Sequence, residues 1–218
     1  MESEIKLQTA RLGMVQQQLR ARGITQPTVL EAFTTVPREL FVPPSQQHLA
    51  YEDQPLPIGL GQTISQPYVV ALMLQELDVQ PHHRVLEIGA GSGYQTALLA
   101  RLAKHVHAIE RLEQLAEQAA GALARLAVGN VTLCTRDGSL GWATEAPFDR
   151  IICGAASPDV PPAWLEQLVE DGRIVVPLGN AESQMLTLVT RTPQGPLRRP
   201  IAPVRFVRLI GQAGWPSQ

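Results

Sequence analysis

The chain has little of what marks most binding classes. It carries two cysteines in 218 residues, too few for a disulfide framework. Each of them, Cys134 and Cys153, lies in an apolar run that reads as its own strand, so two reduced thiols are expected. Positive charge is not in excess: 18 Lys and Arg against 20 Asp and Glu give a net charge of −2. That balance argues against a general affinity for nucleic-acid phosphates. No apolar run reaches membrane-spanning length. The opening Met-Glu-Ser-Glu-Ile-Lys is acidic and lacks the apolar stretch of a secretory signal, so a cytoplasmic location is expected. The five histidines come without a cysteine or carboxylate cluster, and no metal site is expected. No repeat, low-complexity block or linker interrupts the sequence, which predicts one domain over 1–218 and a monomer.

Apolar residues make up 44% of the chain, enough for a full core. Ile5, Leu12, Val15 and Leu19 form a helical stripe over 5–22, which Gly23 ends. Pro27 opens a second, short helix. The stretch 36–67 is crowded with proline and glycine, yet its Phe41, Leu49, Tyr51, Leu56 and Ile58 predict ordered packing. A helix follows from Pro67 to Leu77. Strands are then expected at 84–88, 105–110, 131–135, 149–154 and 173–177, with helices at 94–103, 111–127 and 162–169. That alternation builds an α/β, doubly wound, mostly parallel sheet. Residues 185–190 and 201–210 read as antiparallel edge strands. The predicted layout is an N-terminal helical cap and loop (1–66), an α/β core (67–180) and C-terminal antiparallel strands with a tail (181–218).

The chemistry concentrates at strand ends. Val-Leu-Glu-Ile-Gly-Ala-Gly-Ser-Gly at 85–93 puts Gly89, Gly91 and Gly93 where the first core strand turns into a helix. Such a turn lets a ligand approach the backbone, and the helix offers it free N–H groups. In an open parallel sheet this is where ligands bind. The G-x-G-x-G spacing continues with Tyr94, where a dinucleotide fingerprint wants glycine or alanine. Glu87 stands two residues before the first glycine, where a carboxylate suits a cation and not a pyrophosphate. Glu110 closes the second strand, placed to accept from ribose hydroxyls. Asp137 and Gly138 follow the third, placed to meet an adenine. The pattern E-x-G-x-G-x-G resembles motif I of the S-adenosyl-L-methionine-dependent methyltransferases, whose class I fold is Rossmann-like. After the fourth strand, Gly154-Ala155-Ala156-Ser157-Pro158 lacks the Asn/Asp-Pro-Pro-aromatic motif of many amine methylases, so a nucleobase acceptor is disfavoured.

A second set of strings narrows the acceptor. Val-Pro-Arg-Glu-Leu-Phe-Val-Pro (36–43), Pro-Leu-Pro-Ile-Gly (55–59), Gly-Gln-Thr-Ile-Ser-Gln-Pro (61–67) and the glycine turn together resemble the protein-L-isoaspartate (D-aspartate) O-methyltransferase family. The resemblance runs from about residue 13 to residue 212. It implies S-adenosyl-L-methionine as methyl donor. It implies as acceptor the α-carboxylate of L-isoaspartyl residues in age-damaged proteins and peptides, with repair following through a succinimide. Ser65 falls on the residue that the family assigns to catalysis and substrate. Thr63 and Ile64 fall on positions at the cofactor, and Val204, Phe206 and Val207 on the peptide-facing segment. Some members carry histidine where this chain has Tyr68, and residues 211–218 match poorly.

Several alternatives stay open on the sequence alone. Ser65 would fix one carboxylate oxygen of the acceptor, or cap the helix that begins at Pro67. The segment Pro203–Leu209 would pair with an extended peptide, or form an edge strand kept soluble by Arg205 and Arg208. The same fold also serves carboxyl methyltransferases of peptide precursors, and a cofactor-binding module without turnover.

Overall fold

The computed structural model describes residues 2–216. Helix α1 (Glu2–Met14) continues through tighter and wider turns to Gly23, whose φ of 91° ends the run. Helix α2 (Pro27–Thr35) has proline in its first turn, where no N–H is missed. It buries Val29, Leu30 and Phe33. The stretch 36–67, expected as an ordered loop, contains a short hairpin: β1 (Leu56–Gly59) pairs antiparallel with β2 (Gln62–Ile64). Leu60 and Gly61 turn it with φ of 52° and 70°, the left-handed pair that a two-residue hairpin requires. The prolines and glycines around strands this short conceal their alternation.

The core then follows as helix α3 (Pro67–Leu77), β3 (Arg84–Ile88), α4 (Tyr94–Leu102), β4 (His105–Glu110), α5 (Glu113–Arg125), β5 (Val131–Thr135), β6 (Phe148–Cys153), α6 (Pro162–Glu166), β7 (Leu168–Gly179), β8 (Gln184–Thr192) and β9 (Gly195–Val204). The large sheet has the order β5-β4-β3-β6-β7-β8-β9. Its first five strands run parallel, and β8 and β9 are antiparallel. Chain order reverses between β3 and β6, so the crevice of the fold opens at their carboxyl ends. Both faces are covered. Val85 and Val106 belong to the apolar cluster that takes in the N-terminal helices, Leu86 and Ile151 to the one around Trp164. Cys134 and Cys153 are free. They lie on strands that do not adjoin.

Two boundaries differ from expectation. The helix expected over 162–169 stops at Glu166, because Leu168 already pairs with Phe148. Four residues of β7, including Asp171 with φ 58°, then bulge out before pairing resumes at Arg173. The last strand lies at 195–204, not 201–210. Its start is set by a tight turn closed by Thr192 Oγ1 donating to the Gly195 carbonyl at 2.7 Å. Its end is set by Gln184, the first residue of β8, which pairs with Val204. Beyond it, the Gln184 side chain accepts from the Phe206 N–H at 2.6 Å and donates to the Phe206 carbonyl at 3.2 Å. Ala156 holds the Val207 carbonyl and the Leu209 N–H. The backbone of 203–209 is therefore largely committed, and prolines 196, 200 and 203 blunt β9. Both facts argue against peptide pairing along this edge.

Candidate active site

The glycine turn after β3 folds as its composition requires. Gly89, Gly91 and Gly93 have φ of 80°, 55° and 84°, and Gly93 hands the chain to α4. Gly89 also lies against Gly154, the residue that follows β6. A Cβ on Gly154 would stand 3.0 Å from the Gly89 carbonyl oxygen. Two bare backbones thus meet at the switch point and leave the crevice open above them.

Glu110 fastens this turn. One carboxylate oxygen accepts from the Gly91 N–H at 2.9 Å, the other from the N–H groups of Arg111 and Leu112 at 2.7 and 2.9 Å. Glu87 is fully buried. Its Oε1 accepts from Gln95 at 3.1 Å, while Oε2 has no partner. Burial pushes its carboxyl from 4.5 up to about 7, against the pull of Thr96 and Gln95 and with a further push from Glu110. An orphaned, buried carboxylate oxygen beside an open glycine turn fits a ligand that brings a cation, and fits a pyrophosphate badly.

Gly89, Gly91, Glu110, Gly138, Thr63 and Val207 line one cavity. Asp137 is not among its lining residues and is tied to the C-terminal loop. Its carboxylate accepts from Ser139 N–H at 2.9 Å and Gln212 N–H at 2.7 Å. Burial alone would raise its pKa, but these amides, the Ser139 hydroxyl and Arg111 hold it below the usual carboxylate range. Gly93 does not reach the cavity either; it packs on Ala119.

A second cavity, of about 500 Å³, is lined by Ser65, Thr63, Gln66, Val204, Phe206 and Val207, among others. Thr63, Gly154 and Val207 belong to both cavities, so the two spaces meet. Ile64 and Ser65 border a smaller recess shared with Gly89 and Gly91. Among the residues around the second cavity, Arg205 alone is charged, and histidine, lysine and carboxylate are missing.

Ser65 is half-buried, and its hydroxyl takes no partner among the described residues. It does not cap α3: Gln66 holds the N-cap position, and no side chain closes the helix there. The Gln66 amide instead donates to Asp53 at 2.8 Å. Tyr68 turns away, with the Arg22 guanidinium 3.5 Å from its ring centroid. Three participants escaped sequence reasoning. Gly154 lines both cavities, and its signal is a glycine directly after a core strand. Gln95 holds Glu87 from the first turn of α4. Arg38, fully buried, donates from Nε to the Ala50 carbonyl at 2.8 Å and from a terminal nitrogen to the Ser65 carbonyl at 2.9 Å.

Comparison with known proteins gives the family and the fold. The family model for Protein-L-isoaspartate(D-aspartate) O-methyltransferase matches residues 11–214. Protein-L-isoaspartate O-methyltransferase 1 of Syntrophobacter fumaroxidans is 50% identical over 211 residues, 97% of this chain and 99% of its own. The protein-L-isoaspartate O-methyltransferase of Methanoculleus marisnigri is 48% identical over 205 residues, 94% of this chain and 93% of its own. A solved protein-L-isoaspartate O-methyltransferase superposes with a TM-score of 0.84 at 29% identity, covering 94% of this chain and 67% of that one. A Plasmodium falciparum structure described as a β-aspartate methyltransferase in complex with S-adenosyl-L-homocysteine gives 0.81 at 25% identity, covering 92% and 98%.

Proposed function

The chain belongs to the protein-L-isoaspartate(D-aspartate) O-methyltransferase family, and we infer from that membership and from its site that it transfers a methyl group from S-adenosyl-L-methionine to the α-carboxylate of L-isoaspartyl residues in damaged proteins and peptides. The ester so formed is open to attack by the neighbouring backbone nitrogen, and the resulting succinimide hydrolyses in part to normal aspartate. The observation that carries the assignment is the junction of two cavities. One is built around the glycine turn and Glu110, the other around a free serine hydroxyl, and they share Thr63, Gly154 and Val207.

When bound, S-adenosyl-L-methionine supplies a methyl group made electrophilic by its sulfonium. The residues that would hold it are Thr63, Ile64, Gly89, Gly91, Glu110 and Gly138, with Glu87 meeting its positive charge from below. Glu110 serves chiefly by keeping the turn in shape, since its oxygens already take three N–H bonds. Asp137 acts indirectly, through the C-terminal loop that it holds, and Gly93 through the packing of α4. The acceptor needs no general base: a carboxylate with a pKa below about 4 is ionised at neutral pH. That suits a cavity with no histidine, lysine or acid in its wall. Ser65 donates a hydrogen bond from its hydroxyl to one carboxylate oxygen and so presents the other for attack. Val204, Phe206 and Val207 flank the peptide and exclude water. Orientation of this kind is worth effective molarities of ~10⁵ M or more. Two opposite charges cancel in the transition state, so a poorly hydrated pocket favours the step.

A peptide panel tests the assignment. Matched isoaspartyl and α-aspartyl peptides are incubated with methyl-labelled donor. Label on the isoaspartyl peptide alone is expected; equal labelling, or none, refutes the reading. We further propose that residues 1–66, 67–180 and 181–218 work as one domain in a cytoplasmic monomer that binds neither nucleic acid nor membrane. The shared apolar cluster of the N-terminal helices and the sheet supports the single domain. Among the described residues, no helix is long and apolar enough to cross a membrane. Size-exclusion chromatography with light scattering checks the monomer.

A further inference from the structure

The reaction leaves one buried charge without a task. Arg38 is 0% exposed, and its contacts are two carbonyls and the face of Tyr94, 5.0 Å from the ring centroid. One terminal nitrogen has no partner. No described carboxylate forms an ion pair with it; Asp53 acts only from a distance. Burial lowers its pKa to about 10, so it stays protonated at neutral pH. An unpaired guanidinium in the interior is among the costlier things a fold can keep. Two carbonyls could be satisfied by neutral donors, so hydrogen bonding alone does not explain a cation here.

The charge lies directly behind the acceptor loop. Arg38 holds the carbonyl of Ser65, the residue whose hydroxyl serves the cavity. We propose that Arg38 is the standing counter-charge of the acceptor site, selecting an ionised carboxyl over a neutral one without touching it. The inference rests on the methyl-acceptor reading above. Its physical consequence is specific. The cation favours the carboxylate in the ground state and gains nothing from the transition state, where that negative charge is vanishing. Arg38 is therefore a positioning and selectivity residue that acts on affinity and not on the chemical step. The neutral ester loses the attraction and leaves, which keeps the product from occupying the site.

The test compares two peptides that differ only at the isoaspartyl α-carboxyl: the free acid and its carboxamide, a stable neutral stand-in for the ester. Dissociation constants are measured on the S-adenosyl-L-homocysteine complex, where no turnover occurs. The wild-type protein should bind the acid roughly tenfold more tightly than the amide, as a charge acting across one residue in a partly dry site would give. Arg38→Met should lower the ratio severalfold, with Arg205 in the wall of the cavity keeping the remainder, and Arg38→Lys should preserve most of it. S-adenosyl-L-homocysteine affinity should hold in both variants and reports on folding. A loop that had merely loosened would weaken acid and amide alike and leave the ratio intact. Equal binding of acid and amide by the wild type overturns the proposal, as does an unchanged ratio in Arg38→Met or a lost one in Arg38→Lys. A wild type that methylates no isoaspartyl peptide brings down the acceptor reading itself, a result separate from these.

Discussion

Replacing Glu87 by glutamine should make this protein more stable and a worse enzyme, with a pH signature that identifies the cause. Glu87 is fully buried with one oxygen unpartnered, and burial moves its carboxyl from 4.5 to about 7. An acid whose native pKa exceeds its unfolded value holds its proton better when folded. Its contribution is intact below the unfolded pKa and is lost as pH rises toward the native one. Between 4.5 and about 7 that loss totals about 3 kcal/mol, and above the upper value it is constant. Glu87→Gln keeps the shape and removes the titration. Its advantage over wild type should be roughly 1 kcal/mol at pH 5 and about 3 kcal/mol at pH 8. For a chain of this size the latter is roughly 6–12 °C in Tm. Denaturant unfolding of both proteins without ligand, at pH 5 and pH 8, measures it. S-adenosyl-L-homocysteine affinity, read by calorimetry, should fall in the variant. In the wild type near pH 6.5, the binding enthalpy should vary with the buffer's ionisation heat, because Glu87 releases its proton to meet the ligand's ammonium. A stability difference that is the same at both pH values refutes the reasoning, since Glu87 would then hold one charge state throughout.

Ser65→Ala should lower turnover at least a hundredfold, leave S-adenosyl-L-homocysteine affinity intact and change stability by less than about 0.5 kcal/mol, since the hydroxyl supports no internal bond; steady-state kinetics and thermal melts decide, and wild-type turnover would remove the serine from the mechanism. Glu110→Ala strands the N–H groups of Gly91, Arg111 and Leu112 and should destabilise by about 3 kcal/mol while weakening the same ligand tenfold or more. Loss of affinity with unchanged stability would deny its role in holding the turn. Gly93→Ala places a Cβ 3.0 Å from that of Ala119 at a φ of 84°, and should cost about 2 kcal/mol in denaturant unfolding; a neutral result would mean that α4 and α5 shift apart freely.

The sheet was legible because its signals are local. Each core strand is a short apolar run next to a helix-period segment, and the acids fall at the strand ends, where backbone N–H groups converge. Spacing thus put Glu110 beside the glycine turn, but it predicted ribose hydroxyls as its partners, and the N–H groups of Gly91, Arg111 and Leu112 take its oxygens. The hairpin at 56–64 was not legible: with strands of four and three residues, its pattern is too brief to separate from the surrounding prolines. The fate of Asp137 was hidden for another reason. Its position after β5 suits an adenine, but one of its two oxygens takes the N–H of Gln212, and no local pattern announces a contact 75 residues away. Arg38 shows the limit most clearly. On composition an arginine in a proline-rich loop reads as solvated, and only the packing of Phe41, Tyr51 and Tyr94 makes it interior.

Arg38 and Glu87, two fully buried ionisable groups beside the site, explain each other. Glu87 is a buried acid near the end of β3, two residues before the glycine turn, and Arg38 a buried cation bound to the Ser65 carbonyl. Both are fully buried, each has an orphaned atom, and neither neutralises the other. A protein selected for stability alone would pair them or replace them with apolar side chains. The reactants have the complementary signs: a cationic methyl donor and an anionic acceptor. Paired internally, the charges would have to be separated before either reactant could enter, and that separation would subtract from binding. Left apart, they pre-organise the site for one ion of each sign, and the reaction that joins the ions cancels the attraction that brought them in. The stability that the empty fold forgoes and the departure of its products then follow from the same arrangement.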